Sequence, residues 1–99
     1  MKIPKSFKIH CHTITVKVEE LDSADDNRYG YYDSVREEIV VFRKVRSNGE
    51  PVELTETQLE STFYHELIHA FQWHIKGTTD ELEAQSYAGL LLEFLETKE

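Results

Sequence analysis

The sequence predicts an α+β domain, with a small antiparallel or mixed sheet of three to four strands followed by two packed helices. Three observations predict it. Apolar and polar residues alternate in FKIH and TITVKVEE of the first half, and apolar residues recur with a period near 3.6 from residue 55 onward. An Asn-Gly turn followed by Glu-Pro, within SNGEP, separates the two regimes. Strands first and helices second place the helices together on one sheet face. The length of 99 residues leaves room for one core and one domain, 1–99. A hydrophobic content of 39% is too high for a disordered chain.

Taken in order, FKIH and TITVKVEE alternate apolar and polar residues on either side of His10-Cys11-His12, which predicts a hairpin. LDSADDNR then reads as a polar, acidic loop. RYGYYD and EEIVVFRKV predict two further strands, joined by a turn over Ser34 to Glu37. Thr55 and Gln58 have the spacing of a capping box, and Leu54 and Leu59 that of a hydrophobic staple. The first helix is therefore expected from Thr55 to about Lys76, with Gly77 at the C′ position. A second helix is expected from about Asp80 through ELEAQSYAGLLLEFLE.

Charge narrows the function classes. Residues 1–50 carry nine basic and nine acidic side chains, whereas residues 51–99 carry two and ten, so the second half holds the whole net charge of −8. Phosphate backbones select basic surfaces, so nucleic acid is not an expected partner. The N-terminal stretch has scattered lysines and no unbroken apolar run, which reads neither as a signal peptide nor as a membrane span. The single cysteine, Cys11, forms no internal disulfide and suits a reducing compartment, so a cytoplasmic protein is expected.

The stretch that carries chemistry is FYHELIHAF, in which His65, Glu66 and His69 form H-E-x-x-H. Residues four apart on a helix stand one above the other, so both imidazoles can reach one ion while the glutamate touches a water on it. On a helical wheel Tyr64, Leu67, Ile68, Phe71 and Ile75 form the core stripe. His65 and His69 fall nearly opposite, with Thr62, Gln72 and Lys76 beside them and Glu66 at the edge. The pair is therefore expected to face solvent or a cleft walled by the second helix and a strand.

Catalytic zinc takes three protein ligands. His74, His10, His12, Glu81 and Glu83 are the candidates for the third. His74 lies about 140° around the helix from His69 and reads as a surface or boundary residue. His10-Cys11-His12 reads as a polar loop. A reversal at Gly77 to Asp80 would bring Glu81 and Glu83 back beside the pair, and periodicity does not choose between them. Either could equally serve the helix terminus, since Asp80 and Glu83 have capping-box spacing and Glu81 favours the positive end of the dipole.

YHELIH followed by DELEAQSYAGLLLEF resembles the gluzincin metallopeptidases, which join an H-E-x-x-H helix to a glutamate on the next helix. More narrowly, the order of SFKIHCHTITVKV, YGYYD, IVVF, the histidine helix and ELEAQSYA is similar to compact ImmA/IrrE-type and small phage-encoded zinc-peptidase-like proteins. The resemblance implies zinc ligands His65, His69 and Glu81, and Glu66 as general base. It favours Glu81 over Glu83. The family pattern has Asn or Asp four residues after that glutamate, where this chain has Gln85. No oxyanion donor is marked; Tyr29, Tyr31, Tyr32 and Tyr87 are candidates. The implied reaction is peptide-bond hydrolysis, with a peptide or protein substrate held along a sheet edge near Tyr29 to Asp33. The alternatives are a zinc-binding regulatory or host-interaction protein without turnover, and a metal-free interaction module.

Overall fold

The alternation of the first half builds β1 (Ser6–Ile9) and β2 (His12–Glu19), an antiparallel hairpin whose inward residues Ile9, Ile14 and Val16 are buried. This computed structural model describes residues 3–21 and 28–99. Most of the acidic loop LDSADDNR, at 22–27, lies outside the described residues. The next hairpin is β3 (Gly30–Asp33) and β4 (Glu38–Phe42). Its turn is stabilised by the Asp33 carboxylate, which accepts from the N–H groups of Val35 and Arg36 at 3.0 and 3.1 Å.

β4 also pairs in parallel with β2, giving a mixed four-stranded sheet in the order β1-β2-β4-β3. All five residues of β4 are buried, as expected of the unbroken apolar run IVVF at the sheet centre. Among the described residues β3 is an edge strand. One difference from the sequence reading lies at EEIVVFRKV, which is two strands. The ladder ends at Phe42, and β5 (Lys44–Ser47) turns away to pair with β6 (Glu50–Glu53) in a separate two-stranded sheet. Asn48 and Gly49 both adopt positive φ (53° and 79°) in that hairpin, which gives the turn its tight reversal.

Helix α1 (Glu56–Lys76) begins at Thr55 as expected. The Thr55 hydroxyl accepts from Gln58 N at 3.2 Å, and the Gln58 side chain accepts from Thr55 N at 2.8 Å. Leu54 and Leu59 pack together with Val45. Gly77 closes the helix at φ 70°, its N–H donating to Trp73 O. Helix α2 (Glu81–Thr97) returns beside α1, capped by Asp80, whose carboxylate accepts from Glu83 N at 2.9 Å. Glu83 does not complete a capping box. The N–H of Asp80 donates to Gln72 instead.

The buried line of α1 differs from the wheel's stripe. Tyr64 is buried and Leu67 and Ile68 pack against the core, but Phe71 and Ile75 are 38% and 76% exposed. The line that meets the sheet runs through Leu59, Phe63, Glu66 and Ala70, all buried. The wheel assumed one apolar neighbour. α1 has two, a sheet and a helix, and a polar residue lies on the sheet side. Its close approach depends on Gly30. A Cβ there would lie 2.6 Å from Val40 O and 2.8 Å from Thr62 Cγ2, so any side chain would force helix and strand apart. Among the described residues, no helix is long and apolar enough to cross a membrane.

Candidate metal centre

The side chains of His65 and His69 project from consecutive turns of α1, their ring centroids 4.7 Å apart. Their Nε2 atoms lie 3.1 Å from each other. The start of α2 brings Glu81 onto both: Oε2 is 3.1 Å from His65 Nε2, and Oε1 is 2.6 Å from His69 Nε2. Glu83 points elsewhere, its carboxylate accepting from Gln72 at 2.7 Å and from Lys76 at 3.2 Å. Those two hydrogen bonds hold its carboxyl below the usual carboxylate range. Of the two glutamates that periodicity left tied, the fold brings Glu81 to the histidines.

Gln72 sets the chemistry of His69. Its amide nitrogen donates to Asp80 O at 3.1 Å and to Glu83 Oε1. Its oxygen accepts from Asp80 N at 3.1 Å, which determines which way the amide points. His69 Nδ1, 2.9 Å from that same oxygen, must therefore carry a proton. In the neutral imidazole the lone pair is then on Nε2, directed at Glu81 and His65. The residue orienting a histidine is thus Gln72 rather than the position four after Glu81. Gln85 is exposed and lines a neighbouring part of the cleft. The signal was available in the sequence, since Gln72 lies three residues from His69 and on the same face.

The dimensions fit a small tetrahedral ion. Zinc–nitrogen bonds of about 2.0–2.1 Å place neighbouring ligands roughly 3.3 Å apart, and these donors stand at 3.1, 3.1 and 2.6 Å, so an ion fits with a small outward movement of the Glu81 carboxylate. The side chain of His69 is only 7% exposed and that of Glu81 is 81% exposed, so the cluster is walled on the α1 side and open on the α2 side. The histidines therefore face a cleft, as expected, although His69 is more deeply enclosed than the wheel implied.

Glu66 is buried on the sheet side of the same turn. Burial pushes its carboxyl up to about 7, and Glu81 acts in the same direction. His69, Arg28 and a hydrogen bond from the backbone N–H of Tyr32 draw it back. The carboxyl borders the groove between β3 and the helices, together with Arg28, Gly30 and His65. Tyr31 and Tyr32 line the groove near Glu81, and Tyr29 lines it near Gln85. Tyr87 lies outside this groove, beside Phe71 and Ile75. Arg28 stacks over the Tyr31 ring at 4.4 Å from its centroid.

The outer edge of β3 completes the groove. Phe42 N donates to Tyr29 O, so the pairs two residues apart along β3 bond to β4, while the backbone groups of Gly30 and Tyr32 point away from it. The remaining candidates, His10, His12 and His74, lie together near Glu37 rather than beside His65 and His69. No protein-family model, curated protein or solved structure matches this chain.

Proposed function

We propose that the chain is a zinc-dependent peptidase of the gluzincin kind, with His65, His69 and Glu81 as ligands and Glu66 as general base. One observation carries the reading. An imidazole whose proton is committed to Gln72 aims its lone pair at a carboxylate and a second imidazole, all within about 3 Å. Electron pairs converging at that range repel unless a positive charge lies among them. In the metal-free chain a shared proton can supply that charge; a zinc ion in its place would also polarise a carbonyl and lower the pKa of a coordinated water from about 15.7 towards 7.

The chain's own residues account for the remaining steps. Gln72 holds His69 in its ligating tautomer. Glu66 accepts a proton from the attacking water and delivers it to the leaving amine. An extended peptide pairs with the outward backbone groups of Gly30 and with the carbonyl of Tyr32, whose N–H is held by Glu66, and this orients the peptide's carbonyl over the cluster. Arg28, Tyr31 and Tyr32 are the groups placed to stabilise the oxyanion. The exposed thiol Cys11 suits a reducing cytoplasm.

The test pairs metal analysis with a broad peptide library. The wild type should carry a zinc ion that His69→Ala removes, and should cleave part of the library. Glu66→Gln should keep the zinc and lose about 10²–10⁴ of the activity. A protein without zinc at this cluster overturns the proposal. Retention of zinc with no cleavage makes the chain a zinc-binding regulatory or host-interaction protein, and loss of zinc in Glu66→Gln makes Glu66 a ligand or support.

A further inference from the structure

We propose that His12, Glu37 and His74 form a second metal site, for a divalent ion of the zinc class, that ties the C-terminal end of α1 to the sheet. The site uses none of the residues assigned to the peptidase reading and does not depend on it. The three side chains come from the start of β2, the turn before β4 and the last turn of α1. His12 Nδ1 lies 3.1 and 3.3 Å from the two Glu37 oxygens, and His74 Nε2 lies 3.5 Å from Glu37 Oε1. The imidazole centroids of His12 and His74 are 5.0 Å apart. One donor atom from each residue falls within 4.8 Å of the others, which leaves room for an ion between them.

The second observation is the state of His74. Its side chain is 10% exposed, and its Nε2 is buried with no hydrogen-bond partner. The approach to Glu37 is an ion-pair distance without hydrogen-bond geometry. A buried polar nitrogen left unpaired costs about 1–3 kcal/mol, so natural structures rarely retain one without a reason. This nitrogen is aimed at a carboxylate and a second imidazole, and a coordinate bond satisfies it.

Backbone strain at the same place agrees. The β1–β2 turn puts His10 and Cys11 at φ 49° and 70°, and Glu37 is at φ 53°. The β5–β6 hairpin meets the same demand with Asn48 and Gly49, residues that tolerate it. Of the three proposed ligands, Glu37 is the one held on left-handed backbone, which its residue type rarely adopts.

Two imidazoles and one carboxylate select zinc, cobalt or nickel over calcium and magnesium, which take oxygen ligands. The fourth position falls to water or to His10, whose ring centroid is 6.2 Å from that of His74. A filled site joins three elements distant in sequence, so its effect is on stability.

The full chain and its His12→Ala variant are titrated with Zn²⁺ and with Co²⁺, following stoichiometry, the visible cobalt spectrum and thermal melting. His12 is 55% exposed, so its removal leaves the core intact. Expected is one ion fewer in His12→Ala whatever the wild-type count, or an affinity loss beyond the roughly 10–100-fold that supporting residues carry. His74→Ala should remove the same ion. In a His69→Ala background, which lacks the other cluster's ion, one ion should remain and adding His12→Ala should abolish it. Equal stoichiometry and affinity in wild type and His12→Ala overturns the proposal, as does a wild type that binds no ion beyond the one at His65 and His69.

Discussion

The two histidine clusters share one helix, and between them they hold four of the chain's five histidines, yet they are built on opposite plans. His65 and His69 are neighbours by helix geometry alone, and a short reversal supplies Glu81. His12, Glu37 and His74 meet only because the sheet has assembled and α1 has docked on it. In the first cluster a nitrogen is committed in advance, because Gln72 holds the proton of His69 on the far side of the ring. In the second, His74 Nε2 is buried without any such partner. The first is thus a prearranged set of donor atoms open to a groove. The second is a join between elements, with an unmet valence at its centre.

The largest expected effect separates the clusters outright. Glu81→Ala should weaken zinc at His65 and His69 by well over 100-fold and leave an ion at His12 and His74 in place, whereas Glu83→Ala should cost about tenfold or less. Equal losses from the two variants, read by competition against a chelating dye, would erase the distinction between ligand and support. Glu81 is exposed and Glu83 half-buried at the start of α2, and neither belongs to the core, so neither change should unfold the chain.

Next in size is the buried carboxyl that only the first cluster has. In the metal-free chain Glu66 titrates near 7 when folded and near 4.5 when unfolded. The folded pKa is the higher one, so folding favours the protonated form. The penalty for ionisation is absent below about pH 4.5, grows as pH rises through 7, and is complete above it. It amounts to at most about 3 kcal/mol. Glu66→Gln should therefore match the wild type in stability at pH 4 and exceed it at pH 8, in chelator and by urea melts. Parallel pH profiles for the two proteins would show that burial does not penalise the charge.

The smallest effect sharpens the contrast in preparation. Gln72→Leu removes the acceptor that keeps the proton on His69 Nδ1, and should weaken zinc at that cluster by about 10–100-fold. The nitrogen chemical shifts of His69 should then report a mixture of tautomers in the apo-protein. Unchanged shifts and unchanged affinity would mean that the imidazole is oriented by packing alone.

What was legible in the sequence follows the same division. Short-range geometry was readable: the capping box at Thr55 and Gln58, the reversal at Gly77, the turns at His10-Cys11 and Asn48-Gly49, and the face shared by His65 and His69. The α+β class followed from the change in period. Long-range pairing was not readable. Nothing local says that β2 and β4 run parallel, or that the apolar run through Val45 breaks at Arg43 to start a separate hairpin. The wheel misjudged Phe71 and Ile75 because an apolar residue does not reveal where its neighbour ends. His74 looked like a boundary residue for a similar reason, since its partners come from residues 12 and 37.

Only four residues, Gly77 to Asp80, separate the helix that bears the imidazoles from the carboxylate that faces them. A tether this short gives Glu81 a local concentration in the millimolar range or above at the mouth of the cluster. A carboxylate that lets go is therefore recaptured before a competitor in solution arrives, unless α2 itself swings away from α1. On the proposed zinc reading, the lifetime of a bound ion would be governed by the reversal at Gly77 to Asp80 rather than by the strength of any single bond. Exchange with the surroundings becomes a property of how two helices part.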